Sequence, residues 1–155
     1  MFLEGLFILD QNQRSSHQTT IDHATPHTTS AEYYKGILSG SAQGDFEGKI
    51  IVRPQAQKTN SKQMNRNILL SKDAQVHTQP LLEIFANDVK CQHGATIGRL
   101  DEQALFYLRA RGISAPQATQ MLTRAFAEEI VARQPNEILR NLLSDLISKR
   151  LLELN

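Results

Sequence analysis

The chain has 155 residues, 40% of them hydrophobic, and a formal net charge of +1, which fits one hydrophobic core of ordinary size. Its single cysteine, Cys91, excludes an internal disulfide framework, a four-cysteine zinc site and an iron–sulfur cluster held by this chain's thiolates alone. The balance of 17 Lys and Arg against 16 Asp and Glu leaves no basic field of the kind that dominates nucleic-acid binding. The apolar opening from Met1 to Leu9 carries Glu4 inside it and closes at Asp10, far short of a bilayer span, so it reads as a buried strand.

Up to about Gly98 the sequence is rich in Thr, Ser, Gln, Asn and Gly. Short apolar or alternating runs at Leu6 to Leu9, Gln18 to Asp22, Lys49 to Val52, Asn67 to Leu70 and Leu82 to Phe85 are each bounded by turn formers or a proline and read as strands. Gly36, Gly40, Gly44 and Gly48 recur every four residues, but the polar residues between them exclude a membrane helix-pairing motif and predict tight turns or bulges. Strands at this spacing with no helix between them make an all-β sandwich, a barrel or the coils of a β-solenoid, and periodicity does not choose among the three.

From Leu100 onward the period becomes helical, which places a division between residues 1–99 and 100–155. Asp101 can cap a first helix with Ala104, Leu105 and Leu108 on its apolar face, and Gly112 ends it. Ser114 and Gln117 form a capping box, with Pro116 tolerable in the first turn, for a second helix whose stripe runs Met121, Leu122, Ala125, Phe126 and Glu129 or Ile130. Pro135 marks the start of a third, lined by Ile138, Leu139, Leu142, Leu143, Leu146, Ile147 and Leu151. So wide an apolar arc must pack against the other helices, the β region or another protein.

Chemistry concentrates at Cys91-Gln92-His93. In an extended segment, residues i and i+2 project from the same face about 7 Å apart, so a thiolate and an imidazole could address one metal or one sulfur species. The plainer reading is a buried cysteine beside a hydrogen-bonded histidine. Gly94 to Gly98 carries little side-chain bulk, which suits either close approach by a ligand or a turn. His17, His23 and His27, with Asp22, complete no known metal motif and are better read as hydrogen-bonding residues of a Thr-rich turn region. The chain has no phosphate-binding GxxxxGK[ST] loop, no GxSxG elbow and no HExxH. Asp73, Glu83, Asp88 and Asp101 have no informative spacing, which leaves a carbohydrate-active β-solenoid open as an alternative.

The run Asp88-Val89-Lys90-Cys91-Gln92-His93-Gly94-Ala95-Thr96-Ile97-Gly98, followed by Leu100-Asp101-Glu102 and Ala104-Leu105-Phe106-Tyr107-Leu108-Arg109-Ala110-Arg111-Gly112-Ile113, closely resembles the SufB/SufD family of iron–sulfur cluster assembly proteins. Upstream, Asp22-His23-Ala24, Pro26-His27, Tyr34-Lys35-Gly36-Ile37, Gly48-Lys49-Ile50-Ile51-Val52-Arg53-Pro54, Ala56-Gln57-Lys58-Thr59 and Asn65-Arg66-Asn67-Ile68-Leu69-Leu70-Ser71 are similar to the same family's core, so the resemblance covers almost the whole chain. Gln92-His93-Gly94-Ala95 matches the SufD-like form; the SufB-like form has Glu-His-Glu-Ala there.

The resemblance implies a parallel, right-handed β-helix core followed by a three-helix C-terminal domain. It also implies that the chain is the C-terminal portion of a longer protein, with a cut first coil that favours self-association as a homodimer. The implied role is that of a non-catalytic scaffold subunit in the bacterial cytoplasm. It would pair with a SufB-like subunit and a SufC-like ABC-type ATPase and pass nascent clusters to acceptor proteins, with no nucleic acid or membrane involved. Cys91 and His93 match the Cys-x-His positions that would contribute to a cluster shared with the partner subunit, and the resemblance implies that reduced flavin could join them in the full complex. Phe106, Tyr107, Arg109 and Arg111 are the candidate ATPase-docking residues, since aromatic and arginine anchors favour interface cores; the competing reading is that Phe106 and Tyr107 finish the domain core. A structural adaptor with an inert Cys91 is the remaining alternative.

Overall fold

The alternation of small or apolar with polar residues in Gln43–Val52 shows how the first two-thirds of the chain folds. Gly44, Phe46, Gly48, Ile50 and Val52 are buried while Asp45 and Glu47 between them are exposed, the period of a strand with one face turned inward. In the computed structural model, which describes residues 1–154, this segment is the fourth of seven strands that precede three helices. These are β1 (Phe2–Leu9), β2 (Arg14–His23), β3 (Thr29–Leu38), β4 (Gln43–Val52), β5 (Asn60–Leu69), β6 (Gln75–Ile84), β7 (Lys90–Gly98), α1 (Glu102–Ala110), α2 (Ala115–Val131) and α3 (Glu137–Leu152).

Strands adjacent in sequence lie in different sheets, and every pairing is parallel: one sheet has the order β1-β3-β5-β7 and the other β2-β4-β6. Phe2 lies beside Ala31, Thr29 beside Asn60 and Asn60 beside Lys90, so each coil takes about 30 residues and the chain winds a parallel β-solenoid of about three turns. This selects the solenoid from the three all-β architectures.

The glycines correct the sequence reading. Only Gly40, with φ +61°, makes a turn; Gly36, Gly44 and Gly48 are buried inside strands. A Cβ would run into Asn67 and Phe7 at Gly36, into Phe7 at Gly44 and into Gln63 and Phe46 at Gly48. The interior is narrow, and these positions are empty because large side chains from the other sheet, a neighbouring coil or the same strand occupy the space. Strand lengths also exceed expectation: β3 contained no predicted run, because Glu32, Tyr34 and Lys35 mask its alternation.

Inside the coils, Phe7, Leu9, Leu38, Ala42 and Ala74 form one aliphatic cluster and Ile21, Ile50, Val52, Ala56 and Ala86 another. The buried set also holds Glu32, Gln63, Asn65 and Asn67. A third cluster lies on the outer face of the first sheet, where Ile37 and Ile68 pack under Ala127, Val131, Ile147 and Leu151 of the helices.

The helix boundaries follow the predicted caps. Asp101 accepts from the Gln103 and Ala104 amides, Ser114 and Gln117 complete their capping box, and Gly112 has φ +87°. Pro135 stands one residue before the true cap, Asn136, whose side chain accepts from the Leu139 amide. In α2 the fully buried line is Ala118, Thr123, Ala127 and Val131, small residues that let the helix approach the sheet closely. Of the predicted stripe, Leu122, Phe126 and Ile130 are half-buried, with Phe126 against the core, while Met121, Ala125 and Glu129 are exposed. Buried Lys35 on β3 ties this helix down by donating to the Phe126 carbonyl (2.8 Å) and pairing with Glu129. Of the α3 face, Ile147 and Leu151 reach the core, whereas Ile138, Leu142 and Leu146 are exposed. Among the described residues no helix is long and apolar enough to cross a membrane.

Candidate functional site

Strand β7 is the last rung of the first sheet, with β5 as its one neighbour there; the second sheet ends at β6. Register sets its interior-facing residues: Cys91 beside Ser61, His93 beside Gln63, Ala95 beside Asn65 and Ile97 beside Asn67. No further coil covers them among the described residues, so His93 is exposed and Cys91 half-buried at an open end of the solenoid. The sequence reading of two donors on one strand face therefore matches the geometry.

Each of these residues ends a buried polar column that runs through the coils. Ser30, Ser61 and Cys91 are successive register partners, and the Ser30 and Ser61 hydroxyls lie 2.7 Å apart. Buried His23 closes the far end of that column, its Nε2 2.9 Å from Ser30 Oγ and its Nδ1 2.7 Å from Thr28 Oγ1. The second column is Glu32, Gln63 and His93, in which Gln63 Nε2 donates to Glu32 Oε2 at 2.6 Å. Parallel rungs stand about 4.8 Å apart, so polar side chains stacked this way can satisfy one another without water.

Burial pushes the Cys91 thiol above the ordinary range, a hydrogen bond from the Ser61 main chain opposing it. Its sulfur packs beside the cluster containing Ile50 and Val52. Cys91 is accordingly a thiol near neutrality, and a metal bound there would have to displace its proton. Burial pushes His23 down, which keeps it neutral and suits its place between two hydroxyls.

The donor set fits part of a cluster. One thiolate and one imidazole project from the same strand face, and no group of three or more His, Cys, Asp or Glu able to hold a metal occurs among the described residues. The other histidines do not join them. His17 stacks on Phe7 with ring centroids 4.9 Å apart, His27 occupies a turn at φ +60°, and His77 is exposed on β6. Sequence reasoning missed Ser30, Ser61, Glu32 and Gln63, whose one signal is recurrence at the coil repeat.

On α1 no residue is buried. Phe106 and Tyr107 are 74% and 56% exposed, so neither finishes the core of this chain, and the Arg111 guanidinium lies 4.6 Å above the Tyr107 ring. Arg109 is exposed in the last turn of the same helix.

The features that define this chain are a parallel solenoid, a Cys-x-His pair on its terminal rung and helices packed on one sheet. Residues 1–126 match the family described as SUF system FeS cluster assembly, SufBD core domain. The chain belongs to the SufBD family. It is 41% identical to an iron–sulfur cluster assembly SufBD family protein of Synechocystis, over 94% of this chain and 32% of that protein. It is 40% identical to the iron–sulfur cluster assembly protein SufD of Escherichia coli, over 91% of this chain and 33% of that protein. The chloroplastic protein ABCI7 of Arabidopsis thaliana is 40% identical over 78% of this chain. The chain thus spans about a third of the length of the first two relatives.

Proposed function

We propose that this chain is the SufD-side portion of a cytoplasmic, non-catalytic scaffold on which iron–sulfur clusters are built and from which they pass to acceptor proteins. The nascent cluster is the cargo. Cys91 supplies a thiolate and His93 a neutral imidazole, and the remaining ligands come from a SufB-like subunit apposed to the open end at β7. A SufC-like ATPase docks on the exposed aromatic and arginine face of α1, centred on Phe106, Tyr107, Arg109 and Arg111.

One observation carries this reading: the chain's single cysteine and an exposed histidine share the interior face of the last rung, where the solenoid is open. Two donors cannot hold a four-ligand cluster, so the remaining ligands come from outside these residues, which supports a SufB-like subunit as their source. An inert adaptor would leave both residues buried and away from any contact surface, and His93 is exposed. Family membership stands against the carbohydrate-active alternative.

The test is anaerobic reconstitution of the full-length protein with its SufB-like and ATPase partners, reading iron, sulfide and the optical spectrum. His93→Ala should lower cluster content several-fold with little change in folding, since the side chain is exposed. Unchanged cluster content in that variant would end the ligand assignment.

A further inference from the structure

Among the described residues, the column that ends at His93 contains two unmatched acceptors, Glu32 Oε1 and Gln63 Oε1, the second one rung from an unmatched imidazole. Gln63 is fully buried, and its Oε1 has no hydrogen-bond partner among the described residues. A buried carbonyl oxygen is costly to leave without a donor. The next interior side chain along the stack is His93, and no hydrogen bond among the described residues engages its ring.

Glu32 decides which way the Gln63 amide faces. Gln63 Nε2 donates to Glu32 Oε2 at 2.6 Å, which holds the Gln63 NH2 toward β3 and leaves Oε1 without a partner. The opposite sheet makes room for this amide at Gly48, where any Cβ would collide with Gln63 Nε2. A carboxylate, an amide and an imidazole thus follow one another on three successive rungs, with a buried, oriented acceptor one strand spacing from the imidazole.

We propose that Gln63 is a positioning residue for His93: its Oε1 accepts the N–H of one imidazole nitrogen, with Glu32 locking the amide, so that the other nitrogen presents its lone pair at the open end. This rests on the reading of His93 as a cluster ligand. Metal-binding histidines almost always donate their second N–H to a carbonyl, carboxylate or water, which fixes the tautomer and the ring plane. An exposed ring without such an anchor would sample both tautomers and several rotamers.

The experiment uses the full chain labelled with 15N at histidine, the His93 signal being assigned by its loss in His93→Asn. The wild type should show one tautomer and an imidazole N–H protected from exchange with water. Gln63→Leu keeps the volume and removes the acceptor, so the protected N–H should vanish and the ring should average between tautomers. Because that variant also strips Glu32 of its donor and threatens the fold, Glu32→Gln is the second arm. A glutamine can donate as well as accept, which frees the Gln63 amide to flip, and the protected signal should weaken without vanishing. In the reconstituted complex, loss of the anchor should weaken metal capture by about 10- to 100-fold. An averaged, unprotected ring in the wild type, or a His93 signal unchanged in both variants, overturns the proposal. The ligand reading fails separately: a locked ring in the wild type with a harmless His93→Ala exchange would keep the positioning contact and remove the cluster role.

Discussion

The two sheets of the solenoid share a coil and a strand direction but meet different surroundings. Outward residues of the β2-β4-β6 sheet face water: Arg14, Ser16, Gln18 and Thr20 on β2, Asp45 and Glu47 on β4, and Gln75, His77 and Gln79 on β6 are exposed. In the β1-β3-β5-β7 sheet, Ile37 and Ile68 point outward into the helices while Ser30, Glu32, Ser61 and Gln63 point inward into the polar columns. A sheet covered on both faces can devote one face to stability and the other to chemistry. The second sheet mainly supplies Phe46, Ile50 and Val52 as filling and Gly44 and Gly48 as gaps. Both candidate donors therefore arise on the first sheet, at its last rung.

The largest effects should follow from breaking that asymmetry where it is strongest. Ile37→Ala removes a fully buried side chain that joins the first sheet to α2 and α3 and should cost about 2–5 kcal/mol, read by chemical denaturation. Glu47→Ala, outward on the second sheet, should stay within about 0.5 kcal/mol. Equal costs at the two positions would mean that the helices contribute nothing to holding the first sheet.

A smaller loss is expected from closing one of the gaps. Gly48→Val places branched bulk where Gln63 and Phe46 already stand and should destabilise by about 1–3 kcal/mol. The same denaturation measurement checks it. A variant as stable as the wild type would show an interior wide enough to need no glycine there.

The helices were legible in the sequence because their signals are local: Asp101, Ser114 with Gln117, and Gly112 each act within one turn of helix. The Cys91 and His93 pair was legible for the same reason, being two residues apart on one strand. What failed was non-local. Thr28, Ser30, Glu32, Ile37 and Leu38 recur as Thr59, Ser61, Gln63, Ile68 and Leu69, the spacing at which β3 pairs with β5, but each residue is uninformative until the coil length is known. The polar ones also look like surface residues, since Glu and Gln are seldom fully buried without partners, and here each partner is one coil away. The four-residue glycine spacing misled because it crosses from β3 through a turn into β4 and reflects two crowded strand faces rather than repeated turns.

The finest test of the comparison is a histidine that bridges the sheets. His23 lies on β2 of the second sheet, its Nε2 meets Ser30 on β3 of the first, and its Nδ1 meets Thr28 in the loop between β2 and β3. Burial lowers its pKa below the ordinary histidine value near 6.5, outweighing the attraction of Asp22, which is itself engaged by Arg53. The unfolded chain then binds a proton at a higher pH than the folded one. The contribution of His23 to stability is accordingly full above about pH 6.5 and declines as the pH falls from there toward the depressed folded value, with a slope of at most about 1.4 kcal/mol per pH unit. Denaturation midpoints at pH 7.5 and 5.5 should fall more for the wild type than for His23→Gln, whose side chain does not titrate. The pH difference within each protein is the quantity to compare, because the substitution itself shifts the baseline. If the two proteins lose stability in parallel, His23 is not the titrating link between the sheets.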